Sequence, residues 1–427
     1  MIKRISIILI NFFLVHSAMG MIFDNRYMPL IQKPYFYIVD YPYHCEFDLF
    51  FATAKEAFLT DGDEGPMPAI FGPFDQAVMA KNFVAIGKPN PLPEDFQDAS
   101  TIPWRVNSKF QTEGFHFRGL FGITKHWGIG FDWAVMRINS SFIYTLNASG
   151  ANVSITTEDA PILDESRRQM FTEAGLSCGH SSQMGMGDLD LYMRFDWSCC
   201  YACKMRTINL GLRLGGLLPV GESRNINNPA SIPFGGNGFW GVYISPDGEF
   251  ELREDWKLGF LGRVSKRFGR RRPVRLLAGL QEAQFADGEI RQVFVPQSML
   301  FGVERGTAYI NPGVTAAFYP YFRIEGMREG LGMEVQYTII AHMKDEWSKA
   351  SPEGDVEFPV NLVSPMEESK WVMEDISFNI FYDFGKVQSC HSYKPIVEFK
   401  WDIPVAFIAA HGVPKTHKVA LGMEIDF

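Results

Sequence analysis

The stretch Val419-Ala420-Leu421-Gly422-Met423-Glu424-Ile425-Asp426-Phe427 decides how the rest of the chain is read. In an extended strand, side chains alternate between two faces. Val419, Leu421, Met423, Ile425 and Phe427 then share one face, and Ala420, Gly422, Glu424 and Asp426 the other. Such a strand suits a wall with hydrocarbon outside and a polar interior. In lipid every backbone N–H and C=O must be paired within the protein, so only helices and closed barrels cross.

The same period recurs upstream. Leu331, Met333, Val335, Tyr337, Ile339, Ala341 and Met343 oppose Glu334, Gln336, Thr338 and His342. Val397, Phe399, Trp401 and Ile403 oppose Glu398, Lys400 and Asp402. Similar alternation marks Ile376 to Phe384, Asp188 to Trp197, Ile208 to Gly215 and Trp127 to Val135. A soluble β-sandwich also alternates. Here the segments run about 10 to 14 residues, the length of a tilted span, whereas globular strands centre near 5 or 6. Aromatic residues at strand ends, as at Trp127, Trp197, Trp401 and Phe427, fit interfacial girdles. The expected fold is all-β: a transmembrane, up-and-down, antiparallel barrel of about 12 strands, within a range of 12–14.

The twelve expected strands centre on 43–53, 110–122, 126–138, 186–198, 204–217, 238–265, 272–282, 308–324, 328–343, 371–384, 392–403 and 416–427. Pro246-Asp247-Gly248 is a turn signal, so 238–265 reads as one kinked strand or as a hairpin. The gaps alternate short and long, as barrels with short periplasmic turns and long external loops require. The short turns are Thr124-Lys125, Cys199 to Cys203, Arg267 to Arg272, Glu325 to Met327 and Gly385 to His391. Both termini are then periplasmic. Segment 54–109 carries a short helix over Asp75 to Val84 and either folds outward or plugs the lumen. A second helix is expected over Glu165 to Glu173.

Composition agrees. Of 427 residues, 46% are hydrophobic and 21% charged, and mean hydropathy is −0.06, far below that of a bundle of membrane helices. The 37 Phe and 39 Gly suit girdles and bent strands. A net charge of −9 lacks the basic footprint of a nucleic-acid binder. Lys3 and Arg4, the apolar run Ile5 to Val15 and Ala18-Met19-Gly20 form a cleavable signal peptide over 1–20; an uncleaved anchor is the alternative. Residues 21–42 form a periplasmic or lumenal segment, and 43–427 the barrel.

Residues 184–222 carry a resemblance. Met184-Gly185-Met186-Gly187-Asp188-Leu189-Asp190-Leu191 precedes a Cys-rich turn, and Leu210-Gly211-Leu212-Arg213-Leu214-Gly215-Gly216-Leu217-Leu218-Pro219-Val220-Gly221-Glu222 follows. This resembles the outer-membrane proteins grouped as the meta-pathway phenol-degradation family, which look related to fatty-acid-transporter barrels. Asn311-Pro312-Gly313-Val314 and the terminal aromatic residue fit the same picture. The resemblance implies a bacterial outer-membrane channel or transporter for small molecules, hydrophobic ones included. The amino-terminal part departs from the pattern.

The lumen-facing polar candidates are His116, Arg118, Asp132, Asp188, Asp190, Arg194, Asp196, Arg213, Arg323, Glu334, His342, Glu398, Lys400, Asp402 and Glu424, joined by Glu46, Asp48, Lys257, Arg263, Arg275 and Asp383. They read as a polar path or as a salt-bridged filling, since a narrow barrel is packed with side chains. Cys199, Cys200 and Cys203 form a disulfide or thiol cluster, and Cys45 lies where Cys390 can pair with it. A zinc site needs four ligands, and no second CxxC supplies them, so no metal and no cofactor is expected. The chain shows no G-x-S-x-G, P-loop or H-E-x-x-H. A non-transporting surface barrel for adhesion or envelope structure is the alternative function, and a barrel hydrolase using Asp188, Asp190 and His116 a third. Expected partners are the bilayer with its outer-membrane lipids, a small solute, and the barrel-assembly machinery reading Phe427 as its signal.

Overall fold

The computed structural model describes residues 25–27, 42–177, 179–200, 205–277, 281–284, 290–293, 297–349, 360–387 and 394–426. The signal segment, Cys178, Cys203, Cys390 and Phe427 lie outside the described residues.

Twelve strands build the wall. They are β1 (Tyr43–Ala54), β2 (Pro103–Gly122), β3 (Trp127–Leu146), β4 (Leu189–Cys200), β5 (Thr207–Leu218), β6 (Gly241–Arg253), β7 (Trp256–Arg267), β8 (Val314–Arg328), β9 (Leu331–His342), β10 (Trp371–Asp383), β11 (Lys394–Pro404) and β12 (His417–Asp426). Each pairs antiparallel with its neighbours in sequence. The last pairs with the first, from His44 opposite Asp426 to Thr53 opposite His417, and the barrel closes. Closure leaves no strand edge open to hydrocarbon. Among the described residues no helix is long and apolar enough to cross a membrane; strands make the crossing.

The alternation expected from sequence sets the two surfaces. Leu49, Phe115, Ile129, Met193, Leu258, Phe378, Phe399 and Leu421 all point outward and are exposed. Inward positions are buried; many are charged, such as Asp132, Arg194, Glu334 and Asp402, while Phe110, Ala134, Leu217 and Leu261 are apolar. Trp127, Trp197 and Trp401 stand outward at 43 to 47% exposure, as interfacial anchors do.

Two strand assignments need correction, and they cancel in the count. Of the two readings of 238–265, the hairpin holds and the single kinked strand does not, although the turn is not at Pro246-Asp247-Gly248. The hairpin is β6–β7, and its turn is Glu254-Asp255, where Asp255 takes positive φ. Pro246-Asp247-Gly248 lies mid-strand, paired with Leu212, Gly211 and Leu210. Proline gives no N–H to a ladder, so it reads as a breaker. Here Pro246 faces outward, the β6–β7 register skips Ser245 and Pro246, and the Ser245 hydroxyl donates to the Gly262 carbonyl at 2.7 Å across the gap. Segment 272–282 is not a wall strand. Arg270–Leu276 pairs with Glu304–Asn311, which pairs with Glu346–Lys349, in a separate three-stranded sheet beyond the barrel.

Two turns move with these corrections. Arg267 to Arg272 is no turn at the short-turn end but the exit from β7 into the outer sheet. Glu325 to Met327 belongs to β8, and the turn is Glu329-Gly330, with Gly330 at positive φ. The hairpin β2–β3 is longer than expected, 20 residues on each strand, because polar residues such as Lys109, Glu113, Arg137 and Asn139 carry it past the apolar band. Both loop helices are present, α1 (Gln76–Ala85) and α2 (Asp159–Glu173).

Candidate functional site

The interior is a lattice of ion pairs laid along the wall. Arg118 on β2 takes Glu46 of β1 at 2.8 Å and Asp132 of β3 at 2.6 Å. His116 lies one inward position away, 3.2 Å from Asp48 and 3.4 Å from Asp132. Asp132 also stands directly opposite Asp190 of β4. Like charges placed opposite are unfavourable, and each is relieved by its own arginine. Asp190 takes Arg263 of β7 at 3.0 Å, and that guanidinium rests 3.6 Å above the Tyr243 ring.

Several of these pairs skip a strand, and small residues make room for them. Arg194 of β4 holds Asp196 at 2.8 Å and forks onto both oxygens of Asp247 on β6, at 2.9 and 2.8 Å. The pair crosses β5 at Gly211, where an added Cβ would lie 2.4 Å from Arg194 Nη2 and 2.6 Å from Asp247 Oδ2. Gly422 of β12 is flanked in the same way by Asp48 and Glu398. Arg213 lies with its guanidinium 5.4 Å from the Tyr192 ring. Further round, Arg323 meets Glu334 at 2.8 Å and Lys257 meets Glu325 at 2.8 Å. Lys418 holds Asp402 at 2.6 Å, Asn379 donates to Glu398 at 2.9 Å, and Lys400 is buried opposite Asn379.

Fourteen of the fifteen lumen candidates sit on inward strand positions. His342 does so at the long-loop end, between the Thr315 hydroxyl at 2.7 Å and Asp345 at 2.9 Å, stacked on Trp371. Glu424 lies opposite Glu46. Asp188 is the exception. It lies just before β4 and, buried, accepts from Arg267 at 2.9 Å and from the Gly236 N–H at 2.9 Å. Arg275, expected in the lumen, is in the outer sheet. The hydrolase candidates Asp188, Asp190 and His116 are each engaged in separate pairs.

Donor atoms of Glu46, Asp48 and His116, and of Glu46, Glu398 and Glu424, approach within 4.8 Å of one another. Glu46 is already held by Arg118, so these carboxylates belong to the ion-pair lattice. Among the described residues Cys45, Cys199 and Cys200 form no disulfide, and Cys45 is on the exposed outer face; the expected pairing with Cys390 and the cluster with Cys203 lie outside the described residues.

Sequence reasoning missed Asp247 and Arg267, because both fell in segments read as turns, and Lys418. The signal for Lys418 was its parity with Ala420 and Glu424. Asp247 has the inward parity of Tyr243, Ser245 and Glu249 once Pro246 is allowed in a strand.

Over the long-loop end lies an apolar cap. Phe71, Phe74 and Phe83 from segment 55–102, Phe171 of α2, Phe234, and Phe301 pack into one cluster with Phe110 of the wall. Asp75 caps α1 by accepting from the Ala77 and Val78 N–H groups. Arg167 of α2 lies between Trp104, Tyr144 and Phe171, within 4.2 to 5.2 Å of each ring. Arg275 ties the loops together. It donates to the carbonyls of Ala174 at 2.7 Å, Gly175 at 2.9 Å and Ile226 at 3.1 Å, and to Asn227 Oδ1 at 2.9 Å. Burial lowers its pKa to about 10, so it remains cationic at neutral pH.

Residues Asn25–Tyr27 enter this cap. Asn25 donates to Pro233 O at 3.0 Å, Arg26 donates to Glu368 O at 3.1 Å and lies over Phe71, and Tyr27 O accepts from Thr416 at 2.7 Å. Tyr27 thus sits at the long-loop end, whereas Tyr43 starts β1 at the other. Burial pushes the Glu368 carboxyl up to about 8, against the pull of Arg26.

No protein-family model and no curated sequence matches the chain. Solved structures resemble it in strand architecture. An outer membrane channel from Pseudomonas putida F1 is 10% identical, with 95% of this chain and 98% of that one covered and a TM-score of 0.43. A Pseudomonas aeruginosa FadL homologue is 7% identical over 96% and 98%, at 0.30. The NanC porin is 9% identical over 74% and 93%, at 0.28. These likenesses concern architecture alone.

Proposed function

We propose that this protein is a bacterial outer-membrane channel for small solutes, with a narrow charged lumen under a closed external cap. The observation that carries the reading is the lumen lining. Arginine, lysine, aspartate and glutamate of both signs line the wall from β1 to β12, a costly arrangement for a barrel that only anchors loops. Paired charges of both signs give a polar solute successive partners, and they favour polar or amphiphilic solutes over pure hydrocarbons. In this reading segment 55–102, with Asn25–Tyr27 wedged beneath it, is the plug, and the long loops face outside.

The test is single-channel conductance and liposome swelling with the full mature chain in its folded, heat-modifiable form. Solute-dependent swelling that increases when Arg275→Ala loosens the cap supports the channel. Silence of both proteins toward sugars, amino acids and carboxylates sinks it. The second reading, a surface barrel for adhesion or envelope structure, draws on the ordered superstructure: the 20-residue hairpin strands and the three-stranded outer sheet. It would stand if conductance were absent and the loops bound a surface. A hydrolase is the third, and it predicts ester cleavage abolished by His116→Ala.

A further inference from the structure

The outer surface of the barrel is not evenly filled. A cavity of about 570 Å³ opens on the lipid-facing side where β12, β1, β2 and β3 run together. Its walls are Leu49, Phe51, Phe115, Val135, Val419 and Leu421, all outward residues. Its floor reaches the wall itself at Phe50, Gly114, Met136 and Ala420, which have inward parity. Gly114 belongs there for a physical reason. A Cβ at that position would lie 2.3 Å from the Val135 carbonyl oxygen and 2.9 Å from Met136 Cα, so β2 and β3 approach closely only with glycine.

The registers fix the height of the cavity in the membrane. One outward row reads Arg137, Glu113, Phe51, Val419, each residue opposite the next. The row below reads Val135, Phe115, Leu49, Leu421, Phe399. The row below that contains Trp133 and Phe117, stacked at 5.8 Å. The apolar band therefore ends at the level of Arg137 and Glu113, and the cavity lies directly under that edge. Arg137 and Glu113 are both more than half exposed and only 4.0 Å apart at their closest. Lys109 and Arg105 stand above Glu113 on the same outward face of β2, both exposed. Arg137 balances Glu113 at the rim, and Lys109, about 13 Å further along β2 at the usual strand rise, adds one net positive charge above the apolar groove.

We infer that this groove is a binding site for one anionic, phosphate-bearing lipid of the surrounding leaflet, its acyl chain against Phe115 and Leu421 and its phosphate at Arg137. Hydrocarbon is the only medium beside this wall, and a basic rim selects among lipids by headgroup charge. The inference depends on the barrel spanning a membrane and is independent of transport.

The experiment uses the full mature barrel, stripped of lipid in detergent and offered equal amounts of dimyristoyl phosphatidylglycerol and dimyristoyl phosphatidylcholine, with bound lipid counted by native mass spectrometry. One phosphatidylglycerol is expected to be retained with about fivefold preference, the effect of one basic side chain near an anionic headgroup. Arg137→Glu abolishes the preference, and Leu421→Trp fills the groove and lowers retention of both lipids. Val242→Trp, on the outward face of β6, leaves binding unchanged and controls for any added indole. Heat-modified gel migration reports folding of each variant, and Val419→Trp replaces Leu421→Trp if the latter does not fold. Equal retention of the two lipids, or a preference that survives Arg137→Glu, overturns the site.

Discussion

Arg275→Ala tests the role of the cap most directly. Four hydrogen bonds, all at 3.1 Å or shorter, join this guanidinium to Ala174, Gly175, Ile226 and Asn227, and two longer ones reach Gly302 and Val303 at 3.4 Å. Each short bond contributes about 0.5–1.5 kcal/mol net, and water entering the vacated space rehydrates part of the loss, so about 3 kcal/mol is expected. That raises the population of the open cap about a hundredfold. Hydrogen exchange measures it. Amide protection over 174–177, 226–228 and 300–304 should fall by about that factor, while β1 to β12 stay protected. Arg275→Lys keeps the charge but offers one nitrogen to acceptors on separate loops, so its effect should be intermediate. Unchanged protection in the alanine variant would refute the claim that this side chain holds the loops together.

Three further outcomes follow from the geometry. Glu368, half-buried beside Arg26, has its pKa raised by desolvation from 4.5 to about 8. The folded cap binds this proton more tightly than the open one, so cap stability falls as pH rises from about 4.5 and levels off above about 8. A pH series of exchange over 363–369 should show that slope, and Glu368→Gln should flatten it. Gly211→Ala drives a methyl between Arg194 and Asp247, and a loss of about 1–3 kcal/mol is expected in urea unfolding from vesicles. A wild-type midpoint would mean that the pair does not cross β5 as described. Ser245→Ala removes the donor that serves the Gly262 carbonyl beside Pro246 and should cost about 1–2 kcal/mol in the same assay. Pro246→Val, which restores an N–H, should not destabilise; a large loss there would contradict the reading of the β6–β7 gap.

Most wall strands were legible because lipid imposes one rule on every outward position. Phe399 and Leu421 had to be greasy and Glu398 and Glu424 had to face in, and period two alone carried that information. The rule failed where a residue type argued against it. Pro246 looked like a turn, so Asp247 was lost from the lumen, and the hairpin reading of 238–265 put its turn at 246–248 instead of Glu254-Asp255. Arg270 to Leu276 alternates well enough to pass for a wall strand, yet Val274 and Leu276 are buried against Phe239, Ala308 and Ile310 in the outer sheet. Strand pattern reports which face is apolar; it does not say whether the neighbour is lipid or another loop.

By itself, then, the order of residues determined a closed sheet with charge inside and grease outside, because each strand must meet that demand one residue at a time. Which charges meet was decided only in three dimensions. Arg194 and Asp247 are separated by 53 positions and by a whole strand, and they touch because Gly211 leaves space between them. The cap and the outer groove are likewise products of closure. They form from loops and strand faces that are distant along the chain, and no local pattern encodes their meeting.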